Sequence, residues 1–305
     1  MYPLFVKPVK AAYSVLARRV DHAEELRRHL RFYPWERHVI RRLVKPFDDL
    51  ARELASGHER CGVDVYHLIG EELLDGVQVN VDGYSCRGTV TCFGVVDSIM
   101  YPGTIAFQRF EYPSRLPEQT QHRLEATARA ALAAIGFDHG LFNVELFWRP
   151  SDGTIKIIEI NPRLAAQFAD LYEKVDGTNP YRILADLATG VHPRWNRRIG
   201  RYGVAASFVF REFDGAIKVA PRSAEIRWLH RAQPDARLQT FIKRGHSRWR
   251  EMKWLGSYRY AALNLGGRDR EDLFRRYDSA CANLAFKRPS RLMFGATIDA
   301  LRPGR

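Results

Sequence analysis

Residues 141–163, LFNVELFWRPSDGTIKIIEINPR, constrain the fold more than any other part of the chain. Two runs rich in β-branched and aromatic residues flank RPSDG, whose glycine suits a left-handed turn position, and together they read as a β-hairpin. Glu145 and Glu159 stand fourteen positions apart within it. Facing residues of an antiparallel pair project to the same side, so an even separation requires an odd number of loop residues. Ser151-Asp152-Gly153 supplies three, which predicts two carboxylates lying side by side. Asn161 and Arg163 follow Glu159 at intervals of two and extend the same face. Pro162 lacks an amide hydrogen and marks the end of the strand.

Such a row raises an electrostatic conflict. Two adjacent carboxylates repel, and burying both without a counter-ion pushes one towards its protonated form. A hard divalent cation removes the conflict, since Mg²⁺ takes oxygen ligands, keeps some of its water and bridges carboxylates to phosphates. The planar fork of Arg163 would then meet the remaining negative charge of a phosphate or carboxylate. On the residues alone, a solvent-facing edge laced with Glu–Arg ion pairs stays open as the alternative.

Two further segments bear on the choice. FVKPV (5–9) places Lys7 inside a short apolar strand that a proline closes. An ammonium there needs a partner, for which a nucleotide phosphate is suited, although a lysine snorkelling from a strand edge would look the same. LIGEELLDGVQV (68–79) sets paired acids and paired leucines between two strands. A hinge of that form offers backbone polar groups to the edge of a purine while leucines cover its faces.

The rest of the chain sets bounds. No apolar run approaches the ~18–20 residues of a membrane span, and MYPLFVKPVK lacks the layout of a signal peptide, so a cytoplasmic protein with no membrane partner is expected. Cys61, Cys86, Cys92 and Cys281 are scattered without CxxC spacing, which indicates neither a zinc site nor a disulfide framework. The net charge of +13 comes largely from arginines on helical segments such as 18–31, which read as solvated mixed-charge faces. With no zinc finger, RNP-like motif or zipper heptad, a nucleic-acid partner is not expected. No histidine pair has HExxH spacing, so none receives a catalytic role.

Along the sequence, strands are predicted over 3–9, 63–69, 77–83, 87–97, 141–148, 154–160 and 202–210. The pair around DGYSCRG reads as a second hairpin. Helices are predicted from a cap at Asp21 with Glu24, over about 34–55, 118–135, 164–174, 180–189 and 269–284. Gly190 and Pro193 suggest a boundary near TGVHPRW.

A K-P strand, a later E-E-aliphatic-aliphatic-x-G hinge, then N-V-E and I-E-I-N-P-R, in that order, resemble the ATP-grasp superfamily of carboxylate–amine ligases, biotin carboxylase and carbamoyl-phosphate synthetase. The resemblance covers residues 1 to about 190. It implies an α+β fold, with two α+β subdomains around the nucleotide and a C-terminal α+β extension. The corresponding segments are a partial first subdomain (1–75), a second subdomain with the metal-binding hairpin (76–192) and the remainder (193–305). It also implies use of ATP with Mg²⁺, or Mn²⁺ in its place, to phosphorylate a carboxylate for attack by an amine or similar nucleophile, with ADP and phosphate as products.

By position, the resemblance gives Lys7 the triphosphate, Glu71, Glu72, Leu73 and Leu74 the adenine hinge, and Gln78 the ribose hydroxyls, where relatives often carry glutamate. Glu145, Glu159 and Asn161 become metal ligands, and Arg163 the arginine beside the transferred phosphoryl group. The segment 163–177 reads first as an ordinary amphipathic helix; as the alternative it lines an acceptor pocket, with Gln167 and Tyr172 as the contacts.

Departures from the family pattern are also visible. The family opens with a separate α/β domain and a further phosphate lysine upstream of the K-P strand, so this sequence reads as N-terminally truncated. A homodimer, or a partner supplying that domain, would complete it. AAYS (11–14) occupies the place of a glycine-rich phosphate lid without any glycine. Alternatives that follow are a nucleotide-binding regulatory or partner-dependent module, and a kinase that stops after phosphoryl transfer.

Overall fold

The computed structural model describes residues 2–9, 15–54, 66–213, 221–242 and 256–284. The expected phosphate lid at 11–14, the first residues of the strand expected over 63–69, and the arginine-rich segment 243–254 lie outside them. The described residues divide into two units, one built on residues up to Leu74 and one starting at Asp75.

The first unit holds a three-stranded antiparallel sheet in which β1 (Leu4–Pro8) lies between β2 (Arg18–Val20) and β3 (Leu68–Glu71). Two helices follow β2: α1 (Ala23–His29) and α2 (Pro34–Leu54). The cap of α1 falls one residue later than expected. His22 Nδ1 accepts from the Glu25 backbone N–H at 3.3 Å, and Glu25 reaches back to the Asp21 N–H at 2.8 Å. An imidazole thus does what the sequence had suggested for Asp21. Val15, Leu16, Ile40 and Val44 form a small core beneath.

The second unit is organised by an eight-stranded sheet of order β10-β11-β9-β6-β5-β4-β7-β8. Its strands are β4 (Val77–Cys86), β5 (Thr89–Met100), β6 (Phe107–Tyr112), β7 (Gly140–Trp148), β8 (Ile155–Asn161), β9 (Val204–Glu212), β10 (Arg237–Thr240) and β11 (Tyr258–Gly267). The pairs from β9 through β6, β5, β4 and β7 to β8 all run antiparallel. Helices are α3 (Glu118–Ala134), α4 (Ala169–Asp176), α5 (Pro180–Ala188), α6 (Ser223–Ala232) and α7 (Arg270–Asn283).

Alternation along the strands sorts residues onto two faces. Val79, Val81, Val95, Val144 and Leu146 pack against Leu124, Ala128 and Leu132 of α3. On the other face Phe93, Phe110 and Tyr112 pack against Leu171, Tyr172 and Val175 of α4 and Ile183 of α5. None of the described helices is long and apolar enough to cross a membrane.

Three expectations change. First, β4 runs on past the expected end at Gly83 through Tyr84, Ser85 and Cys86, and the turn lies at Arg87-Gly88, both with positive φ (52° and 75°). Gly83 belongs to the strand because a Cβ there would stand 2.1 Å from the Thr91 carbonyl oxygen, so only glycine permits the approach of β5. Second, the described strands beyond 193 do not form a sheet of their own. β9 pairs with β6, and β11 and β10 continue the same sheet, a long-range pairing that no local signal announces.

Third, the β7–β8 hairpin reaches its register by another route. Trp148 faces Ile155, so six residues separate the strands where three were expected. Arg149 N–H donates to Thr154 O at 2.9 Å and Gly153, at φ +69°, donates to Arg149 O at 2.8 Å. Continued unbroken, that register would set Glu145 against Ile158. A β-bulge makes Ile158 the extra residue, so Leu146 faces Ile157 and Glu145 faces Glu159.

Candidate functional site

Beyond the apolar core, the face that carries α4 and α5 becomes polar where β4, β7 and β8 run together. β4 contributes Gln78, Asn80 and Asp82 at intervals of two. Across from them β7 places Asn143 opposite Asp82 and Glu145 opposite Asn80. β8 then sets Glu159 opposite Glu145 and Asn161 opposite Asn143. The site is therefore a grid of three strands in strict cross-strand register.

Hydrogen bonds knit the grid together. Gln78 Nε2 donates to Glu145 Oε2 at 3.0 Å. Asn161 Nδ2 donates to Glu159 Oε1 at 2.9 Å and to Asn143 Oδ1 at 3.2 Å. Asn143 Nδ2 donates in turn to Asn80 Oδ1 at 3.0 Å and to Asp82 Oδ1 at 2.5 Å, and Asn80 Nδ2 to Ser98 Oγ at 2.6 Å. Arg163, exposed beyond the end of β8, approaches Asn161 Oδ1 with Nη2 at 3.3 Å.

Charge within the grid is unbalanced. Burial is the main force that pushes the Glu145 carboxyl up to about 7, and the neighbouring Glu159 charge adds to it; Arg163 and the Gln78 amide pull the other way and lose. Asp82 is likewise pushed up to about 7 by burial, against the opposing pull of the Asn143 amide and the Tyr172 hydroxyl.

The donors fit a hard cation. Among the described residues no three His, Cys, Asp or Glu side chains converge. What is offered is a pair of carboxylates and one amide oxygen, an all-oxygen set suited to an ion that keeps water and shares phosphate ligands. Burial and the neighbouring Glu159 hold Glu145 towards its protonated form, and a cation there would oppose both. Mg²⁺ or Mn²⁺ would be held by Glu145, Glu159 and Asn161.

The other expected residues distribute differently. In the first unit Lys7 Nζ pairs with Glu71 Oε2 at 2.8 Å, so the lysine and one hinge acid already hold each other. Glu71 ends β3, while Glu72, Leu73 and Leu74 follow outside any strand, the two leucines half-buried. Gln78, given to the ribose by resemblance, lies among the carboxylates. Tyr172 does not line an acceptor pocket: it is 1% exposed and packs edge-on against Phe93, Tyr112 and Trp195. Gln167 is exposed.

Asn80, Asp82 and Asn143 went unassigned in the sequence although a signal was present. V-Q-V-N-V-D alternates like a half-solvated strand, yet every residue of β4 is buried. A polar row that faces no water must face other polar groups or a ligand.

A family model described as an ATP-grasp domain matches residues 1–170. Among solved structures the chain is similar to an L-amino acid ligase from Bacillus licheniformis, at 16% identity and TM-score 0.63, over 94% of this chain and 64% of that one. It is similar to a biotin carboxylase from Campylobacter jejuni in complex with β-γ-ATP (17% identity, TM-score 0.59, 94% of this chain and 58% of that). The biotin carboxylase domain of a Hydrogenobacter thermophilus 2-oxoglutarate carboxylase, bound to MgADP, ADP and bicarbonate, is also similar (16%, TM-score 0.60, 94% and 58%). The chain thus spans about three-fifths of the length of these structures, and at such identities the likeness is one of fold. No curated protein sequence matches it.

Proposed function

The chain belongs to the ATP-grasp family, and from that premise we propose that it is an ADP-forming, Mg²⁺-dependent ligase that activates a carboxylate as an acyl phosphate for an amine or similar nucleophile. The observation that carries this reading is the opposed pair Glu145 and Glu159 with Asn161 beside it, two carboxylates set side by side across β7 and β8.

In this reading a carboxylate oxygen of the substrate attacks the γ-phosphorus of ATP, and the bond to the β–γ bridging oxygen breaks to release ADP. The nucleophile then attacks the acyl carbon and inorganic phosphate leaves. Such transfers rest on positioning and charge neutralisation more than on a protein nucleophile. When bound, Mg²⁺ supplies Lewis-acid neutralisation of the phosphate oxygens. Glu145 and Glu159 hold their carboxylates on one face for it, and Arg163, exposed beyond the end of β8, takes the charge on the transferred phosphoryl group. Lys7 exchanges Glu71 for a phosphate oxygen. The backbone of residues 72–74, outside the sheet ladder, is offered to the adenine edge.

Binding of ATP to the whole chain, measured by calorimetry with and without Mg²⁺, tests the proposal, with Glu159→Gln as the control. Mg²⁺-dependent binding that the variant loses is the expected result, followed by ADP release with a panel of carboxylates and amines and trapping of the acyl phosphate by hydroxylamine. Absence of nucleotide binding by the folded wild-type chain overturns it.

A further inference from the structure

An asparagine can serve a cation only through its oxygen, and nothing in the Asn161 side chain itself decides which end of the amide faces the carboxylates. The decision comes from behind. Asn161 Nδ2 is drawn back by Asn143 Oδ1, which leaves Asn161 Oδ1 on the side of Arg163; its second bond, to Glu159 Oε1, is one that a cation taking that carboxylate would displace. Asn143 faces the same ambiguity, and its Nδ2 is fixed by two acceptors on β4, Asn80 Oδ1 and Asp82 Oδ1. Asn80 is oriented by its own donation to Ser98. Three amides thus point their oxygens in one sense, and the relay includes one group, Asp82, whose carboxylate when ionised has no hydrogen to offer in place of an oxygen.

We propose that Asp82 is a positioning residue that, through Asn143, fixes the direction of the Asn161 amide and so presents Asn161 Oδ1 to the cation. The inference rests on the metal-site reading above. Asp82 is 3% exposed and Asn143 3% exposed, so water cannot readily take over either role. An asparagine at position 82 could donate to Asn143 Oδ1 and let that amide turn over. Asn143 would then show its nitrogen to Asn161, which would turn its own nitrogen towards the cation.

The direction of the relay makes it testable by exchange. Asp82→Asn should weaken Mn²⁺ binding in the presence of ATP, read from the electron paramagnetic resonance signal of free Mn²⁺, by about tenfold or more, as for other supports of metal ligands. The double variant Asp82→Asn/Asn143→Asp restores an acceptor-only group one place along. The carboxylate introduced at position 143 accepts from the amide introduced at position 82 and from Asn161, and binding returns to near the wild-type value. Melting temperatures establish that both variants are folded. Wild-type Mn²⁺ affinity in Asp82→Asn overturns the proposal, and so does a double variant that folds but stays weak, since a packing role would not be rescued by the exchange. Should Asp82→Asn fail to fold, the double variant against wild type gives the same reading. Slow solvent exchange of the Asn143 side-chain amide protons, seen by nuclear magnetic resonance in the wild-type chain without metal, is also expected; rapid exchange overturns the relay. If the wild-type chain binds no Mn²⁺ with ATP, the proposed function fails while this last measurement still judges the relay.

Discussion

Two carboxylates of the same sheet, Glu111 buried and Glu145 half-buried, have opposite fates. Glu111 on β6 lies on the α3 side, where Arg109 Nε meets its Oε1 at 2.8 Å, Arg115 Nε its Oε2 at 2.8 Å, and Arg270 of α7 approaches at 3.6 Å. Burial alone would raise its pKa, but Arg109 and Arg115 outweigh burial and hold it below the usual range. Glu145 on β7 lies on the other face, beside another carboxylate, and burial wins. Glu111 is fully buried, whereas Glu145 is half-buried beside the exposed Glu159, and both environments contain arginine. The difference is that one cluster closes on itself and the other does not. A saturated cluster joins helix to sheet, whereas the Glu145 cluster is where the proposed function puts charge from outside.

Breaking the closed cluster should have the largest effect. Glu111→Gln removes the negative charge that faces the buried Arg109 guanidinium and should destabilise the fold by about 3–5 kcal/mol in urea denaturation, while Mg²⁺-dependent nucleotide affinity of the folded chain is retained. A large loss of affinity at unchanged stability would show that this cluster serves the site.

The same substitution at the open cluster should act in the reverse direction. The Glu145 pKa rises from 4.5 to about 7 on folding, so the folded state holds its proton over that window while the unfolded state releases it. Stability contributed by this group is therefore present below about pH 4.5 and is lost as pH rises towards 7, on the order of 1–3 kcal/mol. Asp82 moves in the same sense. Glu145→Gln should flatten part of the decline and leave the metal-free chain slightly more stable at pH 8, yet abolish Mg²⁺-dependent ATP binding. Saturating Mg²⁺ with ATP should flatten the decline in the wild type as well. A pH profile of stability that is indifferent to both would remove the contrast between the clusters.

The smallest effect is expected in the first unit. Lys7 and Glu71 form a partly exposed pair, with side chains 25% and 39% accessible. Lys7→Met should change stability by no more than about 0.5 kcal/mol, while weakening ATP binding. A stability loss far above that would make the pair a fold element and not a nucleotide contact.

Legibility followed the range of the forces involved. The hairpin, the α3 helix and the facing of Glu145 by Glu159 could be read because period, turn residues and charge are local. A three-residue loop would have produced that facing directly, whereas the molecule uses a longer connection and a bulge at Ile158, which lies in the run Ile157-Ile158 and carries no mark of its own. By sequence Tyr84, Ser85 and Cys86 fall between two strands, because nothing nearby shows that β5 pairs along them. The joining of β9 to β6, and the closing of Arg270 on Glu111, depend on partners more than ninety positions away. The polar row of β4 was in plain view, but only knowledge that this face is dry gives it meaning.

The bulge at Ile158 makes the hairpin forgiving of changes in length at some places and not at others. Residues can be added or exchanged at 150–153 without altering which side chains meet at the base, provided the Trp148–Ile155 pairing survives. Ile158 is itself the one residue of β8 that the pairing does not use, so a chain lacking it could straighten and still bring Glu145 against Glu159. Loss of Ile160, two steps further on, has no such shelter. It would leave the two acids together but slip Asn161 out of line with Asn143 and onto the α3 face, a silent error for the fold's outline and a costly one for its chemistry.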